Sequence, residues 1–309
     1  MFIHFLITFF FSYFFFKVSI PFLIKLFPVE PSERGMHNYV KPTSGGILFV
    51  IIYSAIAIYQ NFYLPLLSIP MSIVGLIDDK FILSNKIKFI FQISTVSFIL
   101  FFLKNSDVSF LSNLLDNRSY LYLIFIFFGV AIINFINFMD GIDGIVCGCI
   151  IIIFISINGT FHYLFPAIGA LSAFLIFNWQ PSKIFMGDTG SLFLGSYLVT
   201  LIYNSGSILD SFRIVLLCLP LIADPIIVIL RKLINRQNIL KPHKEHLYQR
   251  LVSGGISHSN VSLIYIFSTL ILGLIYNFGN LFLLLITASI VVIIGFILDK
   301  KYASKFLKS

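Results

Sequence analysis

Apolar runs long enough to cross a lipid bilayer recur from one end of this chain to the other, and that recurrence limits the fold more than any other feature. A membrane helix needs about 20 mostly apolar residues, or fewer where flanking side chains reach the surface. Eleven such runs are read here, at 2–24, 45–60, 61–77, 88–103, 120–136, 144–158, 161–178, 190–204, 212–230, 261–278 and 280–298. The pair 45–60 and 61–77 is cramped, since its length gives about 50 Å of helix, short for two crossings and far too long for one. Met1 to His4 has no Lys or Arg and no small-x-small site follows, so the first run is expected to persist as a span and not to be cleaved. Composition agrees with this reading. The chain is 58% hydrophobic and 11% charged, whereas soluble domains carry about 25% charged residues. A soluble globule, a disordered chain, a coiled coil and a secreted disulfide scaffold are all excluded. Cys147, Cys149 and Cys218 lie inside apolar runs and read as small apolar filler. The expected fold is all-α, a polytopic transmembrane helix bundle of about 11 spans, forming one integral membrane domain over 1–309.

The formal charge of +8 would suggest a nucleic-acid partner if the basic residues clustered on one surface. Instead, most of the 21 Lys and Arg lie in the loops after odd-numbered spans and in the C-terminal tail. Cytoplasmic loops carry such an excess. These loops are therefore expected to face the cytoplasm, with the N-terminus outside, the C-terminus inside and no role for nucleic acid. A carboxylate near lipid is costly unless it has a partner or a task. Asp78 and Asp79 end the third span, Asp140 and Asp143 lie between the fifth and sixth, and Asp188 precedes the eighth. Asp224 lies toward the cytoplasmic end of the ninth. All fall on the same side as a His-containing loop, so one face collects the chemistry.

Four constellations stand out there. In GLIDDK (Gly75 to Lys80) two neighbouring acids end an apolar helix, where they repel each other and oppose the helix dipole. Lys86 and Lys88 follow and could hold an anion. In NFINFMDGIDG (Asn134 to Gly144) polar groups recur at Asn134, Asn137, Asp140 and Asp143, a step that drifts by about 60° per repeat on an α-helix. Gly141 and Gly144 let the chain break and turn these groups toward one cavity. Their mixed oxygens suit a hard cation such as Mg²⁺, or the hydroxyls of a sugar or ribose. FMGDTGS (Phe185 to Ser191) leads into a helix and leaves backbone N–H groups for phosphate and Asp188 for metal, although the same pattern also makes plain turns. PHKEHLYQR (Pro242 to Arg250) sets His243, His246 and Arg250 one helical turn apart, a spacing that suits a phosphate clamp. The polar segment Pro31 to Gly46 adds Arg34, His37 and Lys41. No Walker A sequence is present, so ATP hydrolysis has no support.

In this order, on alternate junctions, the four motifs resemble those of the bacterial polyprenyl-phosphate N-acetylhexosamine-1-phosphate transferases, glycosyltransferase family 4. The resemblance runs from the Arg34–Gly46 loop to Arg250. It implies cytoplasmic active-site loops near 28–44, 78–87, 137–143, 179–189 and 231–260, in an enzyme of the inner membrane. It also implies that a UDP-activated N-acetyl sugar gives its sugar-1-phosphate to undecaprenyl phosphate, releasing UMP, with Mg²⁺ (Mn²⁺ as the alternative ion) required. On the matching positions, Asp188 and Asn137 would hold the metal, while Asp78 and Asp79 would orient or deprotonate the lipid phosphate. Asp140 and Asp143 would sit by the nucleotide or the metal, with Asn134 on the substrate side. Lys86, His243, His246 and Arg250 would bind phosphates, and Lys41 the nucleotide. Direct attack is favoured over a covalent phospho-aspartate, and relatives often form homodimers.

Two departures shape the expectation. The peptidoglycan branch carries consecutive histidines where this chain has His243-Lys244-Glu245-His246, which argues against a muramoyl-pentapeptide substrate and for the O-antigen initiating branch. RGMH (Arg34 to His37) lacks the Arg-Lys or Arg-Ser pair common in relatives. Among rival classes, an ion-coupled transporter would show internal repeats and mid-membrane acids. A prenyl or CDP-alcohol transferase would show DDxxD or a DGxxAR-type run, and neither is present.

Overall fold

The computed structural model describes residues 2–29, 40–105, 111–115, 119–238 and 245–306, most of them helical. Helix α1 (Phe2–Leu26) leads to a short antiparallel pairing of Pro28–Val29 with Lys41–Pro42, which sets Lys41 opposite Val29. Next come α2 (Gly46–Tyr59), α3 (Ile69–Phe81), α4 (Asn85–Lys104) and the single turn α5 (Leu111–Leu115). They are followed by α6 (Ser119–Met139), α7 (Ile145–Ile157), α8 (Phe165–Asn178) and α9 (Gly187–Tyr203). The last third holds α10 (Ile208–Leu217), α11 (Leu219–Ile234), α12 (Leu247–Ser253), α13 (His258–Phe278) and α14 (Leu281–Tyr302).

Each apolar run read from the sequence overlaps one of these helices or, for the ninth, a pair, but the run 61–77 enters α3 only at Ile69, after a 3₁₀ turn over Leu64–Ser68. Their lengths differ. Among the described residues five helices, α1, α4, α6, α13 and α14, are long and apolar enough to cross a membrane, or six if α10 and α11 count as one broken span. The apolar helices α2, α7 and α8 have only 13 or 14 residues. The ninth run also departs from a straight span, because α10 and α11 meet at 79°. Pro220, at the start of α11, has no N–H to continue the ladder of α10, and its ring clashes with the preceding turn.

Helix α9 lies at the centre. Every residue from Thr189 to Tyr203 is buried, as expected of a helix that is apolar all round. It packs against α2, α3, α4, α6 and α10. The buried hydroxyls of Tyr53 and Tyr197 satisfy each other at 2.6 Å. Helix α14 is the opposite case, exposing Phe282, Ile286, Ile290, Ile293 and Ile297 to its surroundings. The contrast places the fixed frame at α9, and Asp188 is in its first turn.

Candidate active site

The site is built around the start of α9, whose first N–H groups have no partner within the helix. Asp79, from the end of α3, supplies one. Its Oδ1 accepts from the Asp188 N–H at 2.9 Å, and its Oδ2 accepts from the Thr189 N–H at 3.3 Å and hydroxyl at 2.8 Å. The Ser44 hydroxyl donates to the same Oδ2 at 2.7 Å. Thus a carboxylate from one helix caps another, and it ties in the chain ahead of α2. Two glycines make the approach possible. Gly187 has φ +71°, a conformation that disfavours a Cβ, and a Cβ there would also strike the Asp79 carboxylate. A Cβ on Gly75 would run into the backbone of Asp188 and Thr189, so α3 and α9 touch backbone to backbone.

Segment 42–46 runs alongside. The Phe185 N–H donates to the Pro42 carbonyl, and the N–H groups of Gly45 and Gly46 donate to the carbonyls of Phe185 and Met186, all at 2.9 Å. The FMGDTGS motif is therefore held on two sides before α9 begins.

Asp78 faces a different group. Helix α3 stops at Ile82, which adopts φ +50°, a strained conformation for a β-branched residue. The Asp78 carboxylate accepts the Leu83 N–H there at 2.6 Å. Helix α4 then starts behind Ser84, whose hydroxyl accepts the Ile87 N–H at 3.4 Å. This turn brings Lys88 to Asp78 at 2.8 Å and to Asp188 at 3.4 Å. Asn137, near the end of α6, donates to Asp188 at 3.0 Å and to the Ser191 hydroxyl at 2.9 Å. Asp140 follows in the turn beyond α6. Burial first, and the nearby charges of Asp188, Asp79 and Asp143 after it, hold its carboxyl well above the ordinary range. Burial, with the adjacent Asp78, likewise pushes Asp188 up to about 6, against the opposing pull of Lys88. Acids from three separate junctions therefore lie close enough to repel one another. Among the described residues no three His, Cys, Asp or Glu side chains form a closed metal cage.

The remaining predicted residues divide. Asn134 exchanges two hydrogen bonds with Gln92 of α4, at 3.1 and 2.9 Å, so its amide joins two helices. Asp143 accepts from Ser182, by hydroxyl at 2.8 Å and N–H at 3.2 Å, and Lys41 donates to that same hydroxyl at 3.0 Å. Asn134, Asn137 and Asp143 thus turn to different partners, Gln92, the start of α9 and Ser182, in contrast to the single cavity expected for the run, while Asp140 stays near the charges of Asp188 and Asp143. Lys86 is exposed, and the lysine that reaches the acids is Lys88. His243 lies outside the described residues. His246 precedes α12 instead of lying within it, buried beside Asp224. Arg250 is on α12 but engages the C-terminal segment. It pairs with Asp299, donates to the Ser304 carbonyl at 3.1 Å and stacks on Phe306. The one-turn spacing holds, since the Arg250 N–H donates to the His246 carbonyl at 3.0 Å, but the Arg250 guanidinium turns to Asp299 and Ser304 and not toward His246. Sequence reading also passed over Ser44, Thr189 and Gln92. The hydroxyls beside glycines at Ser44 and Thr189 were the available signal.

Comparison with known proteins gives a consistent picture. A family model described as glycosyl transferase family 4 matches residues 61–206. A probable undecaprenyl-phosphate N-acetylglucosaminyl 1-phosphate transferase of Bacillus subtilis is 31% identical over 253 residues, 74% of this chain and 70% of the relative. A phospho-N-acetylmuramoyl-pentapeptide-transferase of Dictyoglomus thermophilum is 34% identical over 179 residues, 52% of this chain and 58% of that one. The enzyme of the same name from Carboxydothermus hydrogenoformans is 27% identical over 309 residues, 85% of this chain and 93% of the relative.

Proposed function

This chain belongs to glycosyl transferase family 4, and from that premise we propose that it transfers an N-acetylhexosamine-1-phosphate from a UDP-sugar to undecaprenyl phosphate. The reading rests above all on Lys88 bridging Asp78 and Asp188 beside Asn137, because this brings three sequence motifs to one point. A terminal oxygen of the lipid phosphate attacks the β-phosphorus of the donor. The bond from that phosphorus to the bridging oxygen breaks, UMP departs with that oxygen, and a lipid-linked pyrophosphate sugar forms. A phosphate monoester has a second pKa of about 6, so the nucleophile needs little base assistance near neutral pH. The larger task is holding two anions together.

Asp188 and Asn137 would hold Mg²⁺, with Asp78 and Asp140 close by. The fit is supported by the donor set, hard carboxylate and amide oxygens, and by burial together with neighbouring acid charge that raises Asp140 and Asp188 above the ordinary carboxylate range, a cost a divalent cation would relieve. The ion would neutralise phosphate charge and orient the donor. Lys88 would add a second positive charge at the lipid phosphate, with Asp78 setting the position of its ammonium. Asp79 would keep the start of α9 in place. Lys41 and Asp143, joined through Ser182, would lie on the nucleotide side, and His246 would meet a donor phosphate. The spacing of His243 and His246 supports an N-acetylhexosamine donor over a muramoyl-pentapeptide one, and hence a role in starting O-antigen or another cell-surface polysaccharide. We further propose eleven crossings of the inner membrane, with the N-terminus outside and the site open to the cytoplasm, in a chain able to pair as a homodimer.

The test is direct. Membranes carrying the chain, supplied with undecaprenyl phosphate and a panel of UDP-N-acetyl sugars, should release UMP and form a lipid product with at least one donor. EDTA should stop turnover and Mg²⁺ should restore it. Asp188→Ala should lower kcat at least ~100-fold while leaving the folded protein in the membrane. Turnover insensitive to both treatments would refute the proposal.

A further inference from the structure

Gln92 is a buried amide in the body of α4 to which the transfer chemistry assigns no part. It is 3% exposed, between Phe91 and Ile93 in the sequence, and a buried amide needs partners to remain there. Asn134 of α6 supplies them. The Gln92 Nε2 donates to the Asn134 Oδ1 at 3.1 Å, and the Asn134 Nδ2 donates to the Gln92 Oε1 at 2.9 Å. The same Nδ2 donates to the Val130 carbonyl, one turn back, at 2.8 Å, which steadies the side chain against its own helix. One turn beyond Gln92 the two helices come close again, since a Cβ on Gly129 would strike the Val96 side chain.

The place of the pair in each helix gives it a bearing on the site. Gln92 follows Lys88 by one turn of α4, and Asn134 precedes Asn137 by one turn of α6. Residues so spaced share a helix face. From those two faces Lys88 and Asn137 reach the same carboxylate, the ammonium at Oδ2 of Asp188 (3.4 Å) and the amide at Oδ1 (3.0 Å). Asn137 also donates to the Ser191 hydroxyl at 2.9 Å, so α6 is pinned to α9 at two points. Gln92 ties the turn beneath Lys88 to that pinned helix.

We infer that Gln92 is a positioning residue that acts through Lys88: its reciprocal amide pair with Asn134 sets the rotation and height of α4 against α6, and so places the ammonium between Asp78 and Asp188. Two opposed N–H···O bonds are directional, whereas an apolar contact would let the helices slide or turn. The inference rests on the reading above in which Lys88 meets the lipid phosphate.

The full-length protein in detergent, assayed with UDP-N-acetylglucosamine and undecaprenyl phosphate, tests the two statements separately. Gln92→Met, close in shape but without the amide, should lower kcat/KM for the lipid phosphate ~10-fold. In a Lys88→Met background the same change should alter kcat/KM less than about threefold, because the group it places is gone. A purely structural amide would give the same fall with or without Lys88, which would overturn the inference. So would a normal kcat/KM in Gln92→Met beside a lowered one in Lys88→Met. A normal kcat/KM in Lys88→Met overturns the reading of that lysine, and this inference with it. If Gln92→Met does not fold, Gln92→Met combined with Asn134→Leu leaves no amide unmatched and should unfold near the temperature of the parent. Its kcat/KM should still be ~10-fold low, and a parental value would show that packing alone suffices and overturn the inference. Exchanging the two side chains, Gln92→Asn with Asn134→Gln, keeps both amides and their combined reach and should recover most of the loss. A folded exchange variant that stays ~10-fold low counts against the inference.

Discussion

At the scale of the residue, two lysines two positions apart illustrate how the site selects its parts. Residues i and i+2 on a helix point about 200° apart. Lys88 faces Asp78 and Asp188, while Lys86 is exposed. Lys88→Met should therefore lower kcat/KM by ~100-fold, because it removes a charge from phosphate and leaves two carboxylates facing each other. Lys86→Met should stay within about threefold of the parent, the range of an exposed surface change. Initial rates at saturating and limiting lipid phosphate decide between them. Both lysines were visible as basic residues after GLIDDK, but which one turned inward depended on where α4 began. Asp79 makes the same point. As one of two neighbouring acids it read as chemistry, and its place shows four donors and the start of another helix.

At the scale of the element, the contact of α3 with α9 governs the geometry of the acids. Gly75 permits backbone contact with Asp188 and Thr189. Gly75→Val should separate the helices, costing about 1–3 kcal/mol of stability as an overpacked core does. A shift of about 1 Å at Asp188 should then lower turnover ~100-fold. Thermal unfolding in detergent and the transfer assay measure the two effects. Helix positions were legible from hydropathy, since each apolar run overlapped a helix or a helix pair. The break at Pro220 between α10 and α11 was less so, because the run stays apolar across it while proline geometry alone directs the 79° turn. The same holds for α12, seven residues too polar and too short to register as a run.

At the scale of the whole molecule, sidedness and convergence belong together. Single cysteines introduced at Lys86 and Lys300, in a background with Cys147, Cys149 and Cys218 replaced, should react with a membrane-impermeant maleimide only after the cytoplasmic face is opened. A cysteine at Tyr59, which is exposed at the end of α2, should react from the outside. Labelling of all three from one side would overturn the proposed orientation. By itself the sequence determined that the chain is a helical membrane protein, where its helices lie and which motifs carry acid chemistry, because apolar periodicity and charge placement are local properties. Only the tertiary structure decided that Lys88 and not Lys86 joins Asp78 to Asp188, that Asn134 serves Gln92, and that Asp224 accepts the first N–H groups of α12. Those pairings span 10 to 100 positions for the acids and lysine, and their distances depend on how whole helices pack, which no local pattern encodes.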